Sequence, residues 1–151
     1  MVLGRIQTHV RIESFAMGND KTIKRTAIAR ANIMLSLAEE CSIKEREQYE
    51  ALVEAAIIFA RAGLHRWKKD ASYSCEKWRN IENNNSVKFL KNYRDMVLKE
   101  SEVPFTQIID FSQNNAPRKS DSLYCFEVGI SACQTVREHL KFVESLYCQK
   151  N

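Results

Sequence analysis

From Tyr49 to Trp67 an apolar residue recurs every three or four positions without a break: Tyr49, Leu52, Val53, Ala56, Phe59, Ala60, Gly63, Leu64 and Trp67. That period belongs to one face of a long α-helix and to no strand. Ser42-Ile43-Lys44-Glu45 just before it reads as a capping box, in which serine and glutamate satisfy the free amides of a first turn. A second line, Ala51, Ala55, Ile58 and Ala62, lies nearly opposite at about 100° per residue. A helix apolar on two sides is central in its bundle or shared with a second subunit. The small residues of that second line predict a homodimer.

Three further helices are expected around this one. The first spans about 21–40, capped by Asn19 or Asp20, with Ile23, Ala27, Ile28, Ala31, Met34, Leu35 and Ala38 on its buried face. Another spans about 86–100, with Val87, Leu90, Tyr93 and Val97 inward, Phe89 and Met96 beside them, and Pro104 ending it. The last is expected from about Asp121 to Cys148, on the stripe Leu123, Phe126, Ile130, Cys133, Leu140, Val143 and Tyr147, with Gly129 marking a close helix crossing. A short helix at about 75–82 is pinned by Trp78 and Ile81. Phe105–Phe111 reads as a short extended segment, residues 113–120 as turns, and residues 1–19 as an arm or an extra half-helix. The expected fold is an all-α, four-to-five-helix bundle with antiparallel long helices, in one domain over 1–151.

Composition agrees. The chain of 151 residues is 44% hydrophobic and 28% charged, a globular balance, and four Gly with two Pro leave little material for the turns of an all-β fold. No apolar run approaches the ~20 residues of a membrane span, and no apolar secretory core is visible, so a cytoplasmic location is expected. Five cysteines, an odd number with no Cys-x-x-Cys pair, predict reduced thiols rather than disulfides or zinc.

Local motifs exclude several chemistries. The glycines stand too far apart for a phosphate loop. None of His9, His65 or His139 follows a glutamate by three residues, so the di-metal helix signature is absent. No nucleophile elbow occurs. Neither a cofactor nor a metal is expected. Charge is more informative. Between Arg61 and Lys99 ten basic residues face four acidic ones, a local charge of +6 in a chain of +4. If the helices on either side of the polar 70–85 connection are neighbours, these charges form one face able to attract phosphate. His65, with Arg61 a turn before it and Arg66 and Lys69 nearby, is a candidate phosphate contact on that face; the plainer reading is a surface histidine. Trp67, Trp78 and Tyr93 could stack on bases, but core packing is the simpler role.

The stretch Phe89-Leu90-Lys91-Asn92-Tyr93-Arg94-Asp95-Met96-Val97-Leu98-Lys99 resembles the signature helix of the HEPN superfamily, small helical domains of prokaryotic defence, toxin–antitoxin and RNA-processing systems. The preceding helix, around Ala55–Ala62, resembles the long helix before that motif, and the resemblance covers about 43–100. Arg94 and Asp95 match the first two motif positions, and Lys99 stands where the family carries histidine. In active members the resemblance implies metal-independent RNA cleavage, with histidine moving protons and arginine stabilising phosphate charge. Lysine, with a reference pKa of about 10.4, is neutral in only about one molecule in 2,500 at pH 7 and makes a poor base. It remains a good phosphate contact. The resemblance therefore implies a catalytically degenerate RNA-binding or RNA-processing protein, with Arg94, Asp95 and Lys99 as candidate phosphate-binding residues, to which the basic window adds Arg61, His65 and Lys91. Arg94 and Lys99 are separated by about 140° on an ideal helix, so convergence on one phosphate demands long side chains, a loosened helix end or a dimer. The plainer reading makes Asp95 and Lys99 an i,i+4 ion pair on a helix surface. The alternative function is a non-enzymatic interaction module, a scaffold or a partner-neutralising protein.

Overall fold

The computed structural model describes residues 20–70, 75–99, 103–107, 119–127 and 129–148. The expected N-terminal arm, the Asn19 cap, the side chain of Ile23 and the turns over 113–118 lie outside the described residues. Among the described residues five α-helices follow in order: α1 (Asp20–Glu40), α2 (Arg46–Asp70), α3 (Cys75–Ile81), α4 (Asn85–Leu98) and α5 (Ala132–Cys148). Among the described residues none is long and apolar enough to cross a membrane.

The stripe read from the sequence is what α2 buries. Tyr49, Val53, Ala56, Ile57, Ala60, Gly63 and Leu64 are enclosed, and Leu52, Phe59 and Trp67 pack partly buried against them. Ile57 belongs to neither predicted line. It is buried because α2 is central, touching α1, α4 and α5. The turn before α2 is a 3-10 turn, Ile43–Glu45, and the Ser42 amide donates to Glu45 Oε1 at 2.9 Å as the capping box requires. α1 runs antiparallel to α2 and buries Ile28, Ala31, Leu35 and Ala38. Where α1, α2 and α5 meet, a Cβ on Gly63 would stand 3.3 Å from Ile28 Cγ1 and 3.6 Å from Val143 Cγ1. The close crossing is thus at Gly63.

Two boundaries differ from expectation. α4 ends at Leu98, well before Pro104, with Lys99 as its C-cap. The next stripe positions are Glu100 and Ser101, so extending the helix would bury nothing. The chain after 119 is not a helix until Ala132. A 3-10 turn at Ser120–Ser122 leads to strand β2 (Tyr124–Cys125), which pairs antiparallel with β1 (Thr106–Gln107), Thr106 opposite Cys125. Gly129 then adopts φ +96, a left-handed conformation open to glycine, and nothing stands within 4 Å of where its Cβ would be. It breaks the helix and marks no crossing. Leu123 is buried and Phe126 and Ile130 half-buried, as a helix would also have placed them, but here from a turn and a hairpin.

Side chains fasten this irregular segment. The Ser120 amide donates to Cys41 O (3.0 Å) and its hydroxyl to Ser42 O (2.7 Å), tying it to the α1–α2 turn. Asp121 Oδ1 accepts from the Tyr49 hydroxyl (2.6 Å) and from the Cys133 amide (3.1 Å) in the first turn of α5. Ser131 Oγ accepts from the Gln134 amide (3.2 Å), so two of the free amides of that turn are satisfied. An aromatic chain runs from Tyr49 through Phe105 and Phe126 to Phe89 and Tyr93, with centroids 4.2–6.1 Å apart. Cys41, Cys125 and Cys133 are buried free thiols and Cys148 an exposed one.

Candidate functional site

The basic segment divides when the helices pack. Arg61 and His65 lie one turn apart on α2, and Arg94 and Asp95 lie on α4, which packs against it. Arg61 is within electrostatic reach of both Arg94 and Asp95. His65 is within reach of Arg61, Lys68 and Lys69 on its own helix and of Arg94 on α4. The structure thus brings together four of the six sequence candidates: Arg61, His65, Arg94 and Asp95. Lys91 is exposed on α4 one turn before Arg94, about 60° away around the axis. Lys99 is the exposed cap residue beyond the end of α4 and lies outside this cluster. Arg66 instead acts on Tyr147 of α5, and Lys68 Nζ sits 4.2 Å above the Trp78 ring.

Arg94 and Asp95 pair with each other. Arg94 Nη2 and Nε reach Asp95 Oδ1 at 2.7 and 3.2 Å, both groups about one-third exposed. Asp95 is therefore engaged by its chain neighbour rather than by Lys99. Exposed pairs of this kind contribute little to stability, and Arg94 keeps Nη1 for another acceptor.

Arg61 is the unusual member. Its Nε and Nη1 are buried and have no hydrogen-bond partner among the described residues. Burial, and then the positive charge of Arg94, hold its guanidinium below the usual arginine range, while Asp95 acts in the opposite direction. Buried donors without acceptors are costly, and a guanidinium stays charged at any ordinary pH. Asp95 Oδ1 already serves Arg94. The cluster is two arginines against one carboxylate, with an exposed imidazole and two lysines at its margin. Such a cluster can bind an anion.

His65 follows the same logic. Partial burial, then Arg61, Lys69, Lys68 and Arg94, lower its pKa below the ordinary histidine value. At neutral pH it is an uncharged imidazole among cations. His139 is different in kind. Half-buried at the α4–α5 seam, it is stacked on Phe89 at 4.1 Å, and its Nδ1 is 2.8 Å from Ser86 Oγ. Burial lowers its pKa too, with Glu138 and Glu127 opposing. It is a packed histidine with a partner. Trp67, Trp78 and Tyr93 are partly buried against the core.

Sequence reasoning named Arg61 as one of six candidate phosphate contacts. It did not distinguish the arginine whose donors are buried without acceptors, because that depends on what α4 places beside it. A long basic side chain within the apolar run Ala60–Leu64 was the available signal. Among the described residues no group of three or more His, Cys, Asp or Glu could hold a metal ion. No family model, no curated protein and no solved structure matches this chain.

Proposed function

We propose that this chain is a HEPN-like helical protein that binds RNA through the seam between α2 and α4 and does not cut it efficiently. The observation that carries this reading is that Arg61 and Arg94, two cations from separate helices, lie within electrostatic reach of each other, with Arg94 already bonded to Asp95. Two features of the sequence support it: the local charge of +6 and the Arg94-Asp95 motif with Lys99 in place of histidine. Lysine there favours binding over proton transfer. Binding of single-stranded RNA should weaken steeply with salt, since each neutralised phosphate releases counterions. Arg94→Ala is expected to lower affinity and to reduce the slope of log affinity against log salt by about 1. Lys99→His tests the family reading from the other side, because it restores a group titrating near neutrality. If that variant cleaves RNA only while Arg94 is present, the degenerate-nuclease reading stands. Wild-type protein with no salt-sensitive RNA affinity would remove it.

A second reading, an interaction module pairing with its own copy, draws on one observation. Ile33 and Leu37, one turn apart on α1, are 54% and 51% exposed, and Ala51 and Ala62 of the second α2 line are exposed as well. Light scattering at micromolar concentration is expected to give twice the monomer mass. A monomer mass at that concentration rejects the dimer.

A further inference from the structure

The α1–α2 hairpin keeps one side uncovered. On α1, α5 lies along the other side: Arg137 of α5 donates to Asn32 Oδ1 and to Ser36 Oγ, each at 3.1 Å. Ile33 and Leu37 each follow one of those residues and so sit about 100° round the helix from them. Both are more than half exposed. On α2, Ala51 and Ala62 are exposed and Ala55 and Ile58 half-buried. The two rows adjoin. Arg30, one turn before Ile33 on α1, lies over the Phe59 ring of α2, its Cζ 5.9 Å from the centroid. Single exposed apolar residues are ordinary, but a row shared by two packed helices marks a contact surface.

The charge along α2 says what fits this face. Residues 46–57 carry three glutamates and one arginine, a charge of −2, and residues 58–69 carry four cations and no acid, a charge of +4. The helix has an acidic start and a basic end. A second copy laid along it in the same direction sets like charge against like. A copy turned end for end sets the acidic half of each α2 against the basic half of the other. A two-fold axis across the helices produces that arrangement and makes the contact self-complementary. With the axis level with Ala56 and Ile57, Ala51 of one protomer meets Ala62 of the other. Those small side chains let the two helices approach closely. Glu47 and Lys69, both exposed, then lie across the rim from each other.

We propose that this face joins two copies of the chain, α2 against α2 in antiparallel, with Ile33 and Leu37 sealing the apolar centre and Glu47 pairing with Lys69 across the rim. The inference rests on the self-pairing reading and adds to it a face and a direction. It assigns the contact to the α1–α2 hairpin rather than to α4, the helix of the Arg94-Asp95 motif.

The test is sedimentation equilibrium of the full chain, with a melting curve for each variant. Wild type is expected to be dimeric at micromolar concentration. Ile33→Glu combined with Leu37→Glu should melt as wild type does, since both positions are exposed. It should weaken pairing at least about tenfold, because the contact would bury unpaired carboxylates. Glu47→Lys and Lys69→Glu, made singly, set like charges together and should each raise the dissociation constant about fivefold. Made in one chain, they restore opposite charges across an antiparallel contact, and most of the lost affinity should return. A parallel contact would set residue 47 against residue 47, and the combination would restore nothing. If the wild type is dimeric and the Ile33→Glu, Leu37→Glu variant pairs as tightly, the contact uses another surface; the inference fails while the self-pairing reading survives. If the single charge swaps change nothing, or the combined swap pairs as weakly as either, the antiparallel direction is wrong and the inference fails. A wild type that stays monomeric at its highest soluble concentration overturns the inference and the self-pairing reading together, and leaves the face to another protein or to another segment of this chain.

Discussion

Asp121→Ala is expected to lose about 3–5 kcal/mol of folding stability, because it orphans two donors at once. The Tyr49 hydroxyl and the Cys133 amide both donate to Asp121 Oδ1, and Tyr49 and Cys133 are both fully buried. Each donor left unpaired in an apolar interior costs ~1–3 kcal/mol, against a total stability of ~5–15 kcal/mol for a domain. Urea unfolding followed by circular dichroism should show the loss, and the melting temperature should fall by about 10 °C. Asp121→Asn keeps an oxygen at the same place and should lose much less. If the alanine variant falls by less than about 1 kcal/mol, Asp121 does not fasten α5 to α2.

Gly63→Leu is the other severe lesion. Three helices meet at Gly63, where even a Cβ would press on Ile28 and touch Val143, and its carbonyl accepts from the Tyr147 hydroxyl at 2.5 Å. A larger side chain must push α1 or α5 away from α2. Overpacking of a closed crossing costs ~1–3 kcal/mol, occasionally more, and the greater helix propensity of leucine returns only ~1 kcal/mol. A net loss of up to about 2 kcal/mol, with broadened near-ultraviolet dichroism from Trp67 and Tyr147, is expected. Gly129→Leu puts the same side chain into open space, so any loss there comes from its φ of +96 and not from packing. If Gly63→Leu unfolds at the wild-type urea concentration, the crossing is not tight.

These two residues also mark how far the sequence could be read. The α1 and α2 stripes were legible because a period of three and four sustained over many turns has one structural meaning. The start of α5 was not. Leu123, Phe126 and Ile130 fall at helical spacing, yet a turn and a hairpin place the same residues inward. What decides between these is a long-range bond, Tyr49 to Asp121, and the left-handed Gly129, and neither has a local signal. The close crossing lies at Gly63 and not at Gly129 for the same reason: which glycine sits at a crossing depends on partners far away in sequence. At the candidate site, the motif spacing singles out Arg94 and Lys99, whereas in the fold Arg94 pairs with Asp95 and comes within electrostatic reach of Arg61. The end of α4 accounts for part of this. A helix stops where its next turn has nothing apolar to bury, and Lys99 lies past that point.

The central place of α2 has a consequence for how the chain is made. α1 and α2 are joined by a short turn and can pair as soon as both have been synthesised. Their shared core face, at Leu35 and Gly63, is closed by Cys133 and Val143 of α5, which is made only after α3, α4 and the strand pair. At ~5–20 residues per second of translation, the hairpin waits several seconds with that face open. An open apolar face of that kind is a seat for the α5 of a neighbouring chain, so slow synthesis at high local concentration is expected to favour helix-exchanged pairs over closed monomers.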